Sequence, residues 1–315
     1  MSTSLKTLFK KYNCVADIPK KDKIISTGSI LIDKAIGLGG IPLGCMVEIF
    51  GDTGASKTTM ALNVISNAQK KGLRCLFIDY EHKLNLDYAA DLGVDLKKLE
   101  KVQPMSAEDG LNLHNDAIVN KLADVIVLDS VAALSCKAEV EGVAGESYMG
   151  IVARLMAQHC RKNHAICSKN EVLSLYLNQI RKRYGPVFGD PTYTPGGDSL
   201  KFYCTIRLEL WASGKVELNG QKIGNKINCK VPKNTYCPPF KQAQTRLIFG
   251  KGYDNYSDMT EIFLNKDIIT KSGGWYKYGD SKSWQGKDAI IKELKENKNL
   301  YNELTKKADE NDKIK

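Results

Sequence analysis

The sequence has no apolar run that approaches the roughly 20 residues an α-helix needs to cross a bilayer. Its first residues, MSTSLKTLFKKYNC, also lack the uninterrupted apolar core of a secretory leader. The 9 cysteines include no Cys-x-x-Cys pair, which argues against a clustered zinc site and against the disulfide framework of a small secreted protein. These absences predict a protein of the cytoplasm, or of its equivalent in a host cell, with no membrane partner.

The chain carries an excess of positive charge. Its 46 Lys and Arg residues outnumber 36 Asp and Glu residues, which gives a net charge of +10 over 315 residues. A basic excess favours a polyanionic partner such as nucleic acid, although a lysine-rich surface that only faces water has the same composition. The hydrophobic fraction of 43% is typical of a folded, soluble protein.

Short apolar runs alternate with segments of helical periodicity through the middle of the chain. Strands that alternate with helices form a mainly parallel sheet covered on both faces, so we expect an α/β fold. Buried strands are predicted at 45–50, 74–80, 124–130 and 172–178, with further, antiparallel strands at 201–210 and 244–250.

The predicted organisation changes towards both ends. We expect a short helix and linker at 1–23, an α/β core at 24–253 and a small α+β domain at 254–305. The last residues, 306–315, are highly charged and are predicted to be disordered.

The segment GDTGASKTT follows one predicted strand and opens a helix. This is the context of the phosphate-binding loop G-x-x-x-x-G-K-[ST], whose backbone N–H groups turn towards phosphate oxygens. Lys57 would contact the β- and γ-phosphates, and the Thr58 hydroxyl would ligate Mg²⁺. The predicted nucleotide-binding loop comprises Gly51, Asp52, Thr53, Gly54, Ala55, Ser56, Lys57, Thr58 and Thr59.

Ser56 departs from this motif, because it stands where the second glycine belongs. If the position requires a left-handed conformation, serine costs about 1 kcal/mol or more; near the helical region the cost is small.

Carboxylates at the ends of two other predicted strands complete the candidate site. Asp129 follows the apolar residues of DVIVLDS and is placed to hold Mg²⁺ through its hydration shell. Asp79 and Glu81 lie at the end of another predicted strand, in FIDYEH, at the sheet edge where α/β folds bind ligands. Glu81 is a candidate to orient and deprotonate an attacking water, with a surface salt bridge as the alternative.

Several segments, in order and spacing, resemble the bacterial RecA family over residues 25–285. LNQIR and SLKFYCTIR are the most specific of them, because generic P-loop ATPases lack both. The resemblance implies a RecA-like P-loop ATPase core and an ATP- and Mg²⁺-dependent recombinase that forms a helical filament on single-stranded DNA and exchanges strands with homologous double-stranded DNA. The other segments are ISTGSILIDKAIGLGGIPLGCMVEIFG, FIDYEHKLNLDYAADLGVD, VIVLDSVAALSCKAEVEG, FGDPTYTPGGDSLKFYCTIRL and PFKQAQTRLIFGKG.

The resemblance also implies roles for single residues. Glu81 matches the family's catalytic glutamate, Tyr88 the aromatic residue that stacks on adenine, and Gln179 the sensor of the γ-phosphate. Lys233 matches a lysine that reaches the ATP of the neighbouring subunit, and Phe202 lies at the same interface, so hydrolysis would need a filament. The residues that match the family's phosphate and metal positions are Lys57, Thr58 and Asp129.

Two DNA-binding loops are implied, at about 141–149 with the following helix and at 181–197. The second indicates nucleic-acid binding by itself, because RKRYGPVFGDPTYTPGG combines cations for phosphates, aromatic rings for bases, and glycines. The first is acidic and read alone would be only a polar loop. The predicted DNA contacts are Arg154, Arg161, Arg181, Lys182, Arg183, Tyr184, Gly196 and Gly197.

Departures from the family pattern leave alternatives open. Ser56 replaces a glycine, and Thr235 stands where bacterial members carry a second lysine acting across the interface. Both favour an alternative in which the chain is a nucleotide-gated DNA-binding filament or scaffold with little ATPase activity. A RadA-type or replicative-helicase ATPase is a third hypothesis, but a RadA-type protein would carry an N-terminal cysteine cluster and this segment has only Cys14. The departures indicate a diverged member, encoded by a bacterium or a phage.

Overall fold

The computed structural model describes residues 21–143, 145–182, 191–218, 220–279 and 282–313. The predicted N-terminal helix lies outside these residues. The helices are α1 (Ile30–Ile36), α2 (Lys57–Lys70), α3 (Leu86–Asp91), α4 (Ala107–Val119), α5 (Lys137–Glu141), α6 (Ile151–Asn170), α7 (Ser199–Tyr203), α8 (Asn255–Asn265), α9 (Lys287–Glu296) and α10 (Lys298–Lys313). The strands are β1 (Ile24–Ile25), β2 (Ile41–Pro42), β3 (Met46–Gly51), β4 (Cys75–Asp79), β5 (Leu99–Val102), β6 (Val125–Asp129), β7 (Leu173–Gln179), β8 (Arg181–Lys182), β9 (Thr192–Tyr193), β10 (Ile206–Leu218), β11 (Gln221–Asn234), β12 (Gln242–Ile248), β13 (Gly252–Tyr253), β14 (Thr270–Ser272), β15 (Trp275–Tyr278) and β16 (Lys282–Gln285).

A nine-stranded sheet in the order β13-β12-β11-β10-β3-β7-β6-β4-β5 forms the centre of the described chain. Strands from β10 to β5 pair in parallel, whereas β11, β12 and β13 extend one side as antiparallel strands. Helices on both faces complete the mainly parallel α/β architecture, which confirms the predicted fold class.

The buried strands supply side chains to two separate cores. In β6, Val125 and Val127 pack into the core beneath α1 and α2, whereas Ile126 and Leu128 point to the core beneath α4 and α6. Alternate residues of a strand face opposite sides of a sheet, so a strand covered on both faces must be apolar throughout. This explains why the runs that predicted β3, β4, β6 and β7 show no polar alternation.

One predicted strand begins later than expected. The run at 201–210 starts inside α7, and β10 begins only at Ile206. Leu200 on α7 is buried in the core beneath α6, so a helical turn and not an extended strand brings the chain onto the sheet.

The last part of the described chain packs α8, α9 and α10 with a three-stranded sheet of β14, β15 and β16. The buried carboxylate of Asp258 joins it to the core, because it accepts hydrogen bonds from Ser29 Oγ at 2.6 Å and Thr245 Oγ1 at 2.7 Å. The predicted disorder of 306–315 is wrong as far as Lys313, since α10 continues and Ala308 extends its buried face. No helix of the described ranges has the length and apolar character needed to span a membrane.

Candidate nucleotide site and DNA-facing loops

The carboxyl ends of neighbouring parallel strands bring the predicted site residues to one edge of the sheet. Gly51 at the end of β3 is in register with Gln179 at the end of β7. Asp79 at the end of β4 is in register with Asp129 at the end of β6. Ligands of open α/β sheets bind at this edge, so the topology places the loop after β3 where a nucleotide can reach it.

The phosphate-binding loop has the backbone that its glycines predict. A Cβ atom on Gly51 would lie 2.0 Å from the carbonyl oxygen of Leu210, so only glycine fits there. The Lys57 ammonium donates hydrogen bonds to the carbonyl oxygens of Gly51 at 3.0 Å and Asp52 at 2.7 Å. Burial lowers the pKa of Lys57, and the carboxylates around it oppose that shift. A bound phosphate would accept hydrogen bonds from Lys57 in place of these two carbonyl oxygens, and its charge makes it the stronger acceptor.

Ser56 adopts the left-handed conformation, with φ 65° and ψ 25°. The sequence left open whether this position is left-handed or near the helical region. The left-handed conformation is the one observed, and it costs a serine about 1 kcal/mol or more. The Ser56 hydroxyl donates a hydrogen bond to the carbonyl oxygen of Ala55 at 2.5 Å and does not cap α2.

Thr58 and Asp129 form the candidate metal site. The Thr58 hydroxyl donates to Asp129 Oδ2 at 2.8 Å. Burial, reinforced by the carboxylates of Glu81 and Asp79, raises the pKa of Asp129 to about 6, although the hydrogen bond from Thr58 opposes the shift. These oxygen donors fit Mg²⁺, and a divalent cation here would offset the repulsion among the carboxylates.

Glu81 is held by two side chains at the same edge. Its Oε1 accepts hydrogen bonds from Ser130 Oγ at 2.7 Å and from Gln179 Nε2 at 3.1 Å. The predicted catalytic glutamate and the predicted γ-phosphate sensor are thus in direct contact. Ser130 was not predicted as a site residue, although its position directly after Asp129 is the signal that could have identified it.

A cleft of about 310 Å³ joins these groups. On its far side, the Tyr88 hydroxyl lies 3.0 Å from Thr59 Oγ1. Three further lining residues were not predicted, because they come from β11 and β12 and the following turn, far along the chain. The cleft is lined by Thr53, Gly54, Ala55, Ser56, Lys57, Thr58, Thr59, Glu81, Tyr88, Asp129 and Gln179, together with the unpredicted Asn225, Leu247 and Phe249.

Lys233 and Phe202 do not line this cleft. Lys233 Nζ donates to the carbonyl oxygens of Lys201 at 2.8 Å and Phe202 at 2.7 Å, and burial lowers the pKa of Lys233. The Phe202 side chain is 77% exposed, which is unusual for a large apolar group and typical of an interface.

The base of the second predicted DNA loop is a short antiparallel ribbon. Exposed Arg181 and Lys182 form β8, which pairs with Tyr193 and Thr192 of β9. Two of the predicted DNA contacts, Arg183 and Tyr184, lie outside the described residues.

The end of this loop packs against the helix that follows the first loop. Gly196 and Gly197 have φ of 86° and 76°, and a Cβ atom on Gly197 would lie 3.1 Å from Ala153 Cβ on α6. Arg154 and Arg161 are exposed on the same helix. The fold therefore brings the two predicted DNA-facing segments together.

A buried polar cluster lies between the phosphate-binding loop and the second DNA loop. The Glu48 carboxylate accepts from Arg207 Nε at 2.6 Å and from Asn178 Nδ2 at 3.0 Å. The same Asn178 amide donates to the carbonyl oxygen of Pro195 at 3.0 Å. Asn178 precedes Gln179, so the cluster connects β3 to both ends of the loop. These residues were not predicted, because nothing in their spacing along the chain indicates that they meet.

The fold and the site define a P-loop nucleoside triphosphatase. A family model described as the RecA N-terminal domain matches residues 12–254, and one described as the RecA C-terminal domain matches residues 257–311. The Protein RecA of Aquifex aeolicus is 42% identical in an alignment 316 residues long, which covers 98% of this chain and 92% of that protein. The Protein RecA of Lactobacillus johnsonii is 40% identical over 294 residues, 92% of this chain and 82% of that protein. The chain belongs to the RecA family.

Membership of this family confirms the predicted resemblance and function. RecA proteins bind ATP and DNA and self-associate into filaments, and they are DNA-dependent ATPases. This chain is accordingly an ATP-dependent enzyme of DNA recombination and repair.

Proposed function

We propose that the chain forms a helical filament on single-stranded DNA in its ATP-bound state, pairs the bound strand with homologous double-stranded DNA and exchanges the strands. The observation that carries this proposal is the hydrogen bond from Gln179 to Glu81 at 3.1 Å. Gln179 ends β7, and Arg181 and Lys182 follow it at the base of the second DNA loop. A change at the terminal phosphate can therefore reach the DNA-binding segment through one side chain.

In the hydrolysis reaction, Glu81 orients the attacking water and accepts its proton. Ser130 and Gln179 hold the Glu81 carboxylate in place. On ATP binding, Gln179 would exchange its bond to Glu81 for one to the γ-phosphate, while Ser130 keeps the carboxylate directed towards the water. Lys57 binds the phosphates, and Tyr88 stacks on the base. Mg²⁺, held by Thr58 and Asp129, would supply charge neutralisation on the phosphate oxygens.

The cationic side chains in and next to the two predicted DNA loops would bind the DNA backbone. Arg181 and Lys182 would neutralise phosphates, with Arg154 and Arg161 extending the same surface along α6. Gly196 and Gly197 let the loop backbone lie close to α6 and to the polynucleotide. Arg183 and Tyr184 remain predicted contacts to phosphate and base.

Filament assembly would complete the active site. Phe202 supplies an exposed apolar contact, and Lys233 would exchange its two backbone acceptors for the phosphates of a neighbouring subunit. Residues 1–23, the expected N-terminal helix and linker, would contribute to this oligomerisation. The cytoplasm of a bacterium or of a phage-infected cell is the proposed place of action.

The test is the ATP hydrolysis rate as a function of single-stranded DNA concentration, with electron microscopy of the same mixtures. We expect DNA-dependent turnover together with filaments, and no nucleotide-dependent filaments from Lys57→Ala. Strand exchange on homologous and heterologous duplexes tests the pairing step, and equal activity on both would contradict it.

The left-handed conformation of Ser56 favours a second candidate, a DNA-binding filament with slow turnover. Brisk hydrolysis by the parent protein with DNA present excludes this candidate. Turnover that is slow in the parent protein and faster in Ser56→Gly would support it.

A further inference from the structure

Asp79 is a buried carboxylate at the nucleotide edge of the sheet that the proposed mechanism does not use. It ends β4 and is 1% exposed, where a carboxylate needs hydrogen-bond donors around it. Its Oδ2 accepts hydrogen bonds from the backbone N–H of Leu84 at 3.3 Å and from Gln103 Nε2 at 3.0 Å. The Lys101 ammonium lies 3.6 Å from the same oxygen. The carboxylate therefore joins the segment after β4 to the edge strand β5 and to the residue that follows it.

The segment between Asp79 and Leu84 is a short loop that carries Glu81. Its first residues are held by the neighbouring strand, because the N–H groups of Tyr80 and Glu81 donate to the carbonyl oxygen of Asp129 at 2.7 and 3.3 Å. Its last residue is held by the Asp79 carboxylate through the bond to the Leu84 N–H. The loop is thus fixed on both sides of the proposed catalytic glutamate.

The ring of Tyr80 fixes the start of the same loop. Its hydroxyl donates to the carbonyl oxygen of Ser106, which precedes α4, at 3.1 Å. A Cβ atom on Gly110 would lie 1.9 Å from the Tyr80 hydroxyl oxygen, so only glycine leaves room for this ring. Tyr80 therefore anchors the backbone before Glu81, and Asp79 anchors the backbone after it.

The position of the loop backbone decides where the Glu81 carboxylate lies. Ser130 and Gln179 orient the carboxylate, but their bonds can form only if the backbone presents Glu81 at the right distance. A general base acts within hydrogen-bond reach of its water, and a displacement of about 1 Å is enough to reduce the rate severely. The described residues that line the nucleotide cleft include Glu81 but not Asp79, so an effect of Asp79 on hydrolysis must pass through its neighbours.

We propose that Asp79 is a positioning residue for Glu81. Its carboxylate closes the loop on the Leu84 N–H, and Gln103 and Lys101 hold that carboxylate against β5. This inference rests on the proposed function, because it takes Glu81 to be the group that activates the water.

The test is ATP hydrolysis by the full chain with saturating single-stranded DNA, analysed as separate values of kcat and KM. Asp79→Ala is expected to lower kcat about tenfold or more, because the base is displaced, and to change KM by less than about twofold. Asp79→Asn removes the charge but keeps an oxygen that can accept from the Leu84 N–H, so it is expected to restore most of kcat. This comparison separates positioning from a loss of charge.

A double-mutant cycle with Glu81→Gln shows whether Asp79 acts through Glu81. In the Glu81→Gln background, Asp79→Ala is expected to change the residual single-turnover rate by less than about twofold, because the group that it positions has already been removed. A loss of stability alone would lower the rate by the same factor in both backgrounds.

Asp258→Ala is the matched control. Asp258 is also 1% exposed, and it accepts a hydrogen bond from the backbone N–H of Leu31 at 3.3 Å, but it lies where α8 joins the core. It is expected to reduce the free energy of unfolding and to leave kcat unchanged. If Asp79→Ala folds poorly, Gln103→Ala removes one anchor of the carboxylate at an exposed side chain and is expected to lower kcat by a smaller factor with KM unchanged.

The inference is overturned if Asp79→Ala has the kcat of the parent, if Asp258→Ala loses as much, or if the loss persists in full in the Glu81→Gln background. In each case the proposed function stands as long as Glu81→Gln alone has lost turnover. Unchanged turnover in Glu81→Gln would instead contradict the proposed role of Glu81, and this inference would fail with it.

Discussion

The buried ion pair between Glu48 and Arg207 allows a quantitative test of how much a buried charge next to the site depends on its counter-ion. The Glu48 side chain is fully buried and that of Arg207 is 12% exposed, with 2.6 Å between Nε and Oε2. The guanidinium also lies 4.3 Å from the centroid of the Phe50 ring. Arg207→Met retains the apolar stem on that ring but leaves the carboxylate, among the described residues, with the Asn178 amide as its remaining side-chain partner.

We expect Arg207→Met to lower the free energy of unfolding by about 3–5 kcal/mol, because it leaves a buried charge without its counter-ion. The double variant Arg207→Met/Glu48→Leu should recover most of this loss, since an apolar pair of similar volume needs no desolvation of charge. The expected coupling between the two positions is about 2 kcal/mol or more.

Urea unfolding of the parent, the two single variants and the double variant gives the coupling from the cycle. Arg74→Met is the matched control, because Arg74 forms an ion pair with Asp124 at 3.0 Å but is 57% exposed. Arg74→Met should lower the free energy of unfolding by less than about 1 kcal/mol. The reasoning about desolvation is wrong if Arg207→Met lowers the free energy of unfolding no more than this control does. It is also wrong if the double variant is as unstable as Arg207→Met.

Three further predictions concern the site and the core. Glu81→Gln should retain nucleotide binding and lose turnover, which accumulates the ATP-bound filament; intact turnover would show that another group activates water. Arg181→Ala should weaken affinity for single-stranded DNA and reduce the slope of log K against log salt by about one, measured by fluorescence anisotropy; an unchanged slope would remove Arg181 from the phosphate contacts. Burial, with a smaller contribution from Lys162, lowers the pKa of His159 to about 3, so its neutral form contributes stability above pH 6.5 that is lost as pH falls towards 3. Relative to the parent, His159→Gln should lose about 2 kcal/mol less of its free energy of unfolding between pH 6.5 and 5, and parallel profiles would contradict this.

Much of the architecture could be read from local patterns. The apolar runs that predicted β3, β4, β6 and β7 are strands, because their composition permits no exposed face. The GDTGASKTT motif predicted the phosphate-binding loop, since its close approaches and left-handed turn are properties of single residues. One exception was the charged segment after residue 305, where Ala308 is one of few apolar side chains and only its packing partners show that the helix continues.

What the sequence by itself determined is the chemistry available: a lysine, a hydroxyl and carboxylates placed at the ends of apolar strands, in motifs short enough to be recognised. What only the tertiary structure decided is which distant groups meet them. Ser130 and Phe249 reach the nucleotide site, and Glu48 meets Arg207 and Asn178, because strands far apart in the chain lie side by side in the sheet. Hydrogen bonds and burial depend on those neighbours, and sequence spacing contains no information about them until the sheet order is known.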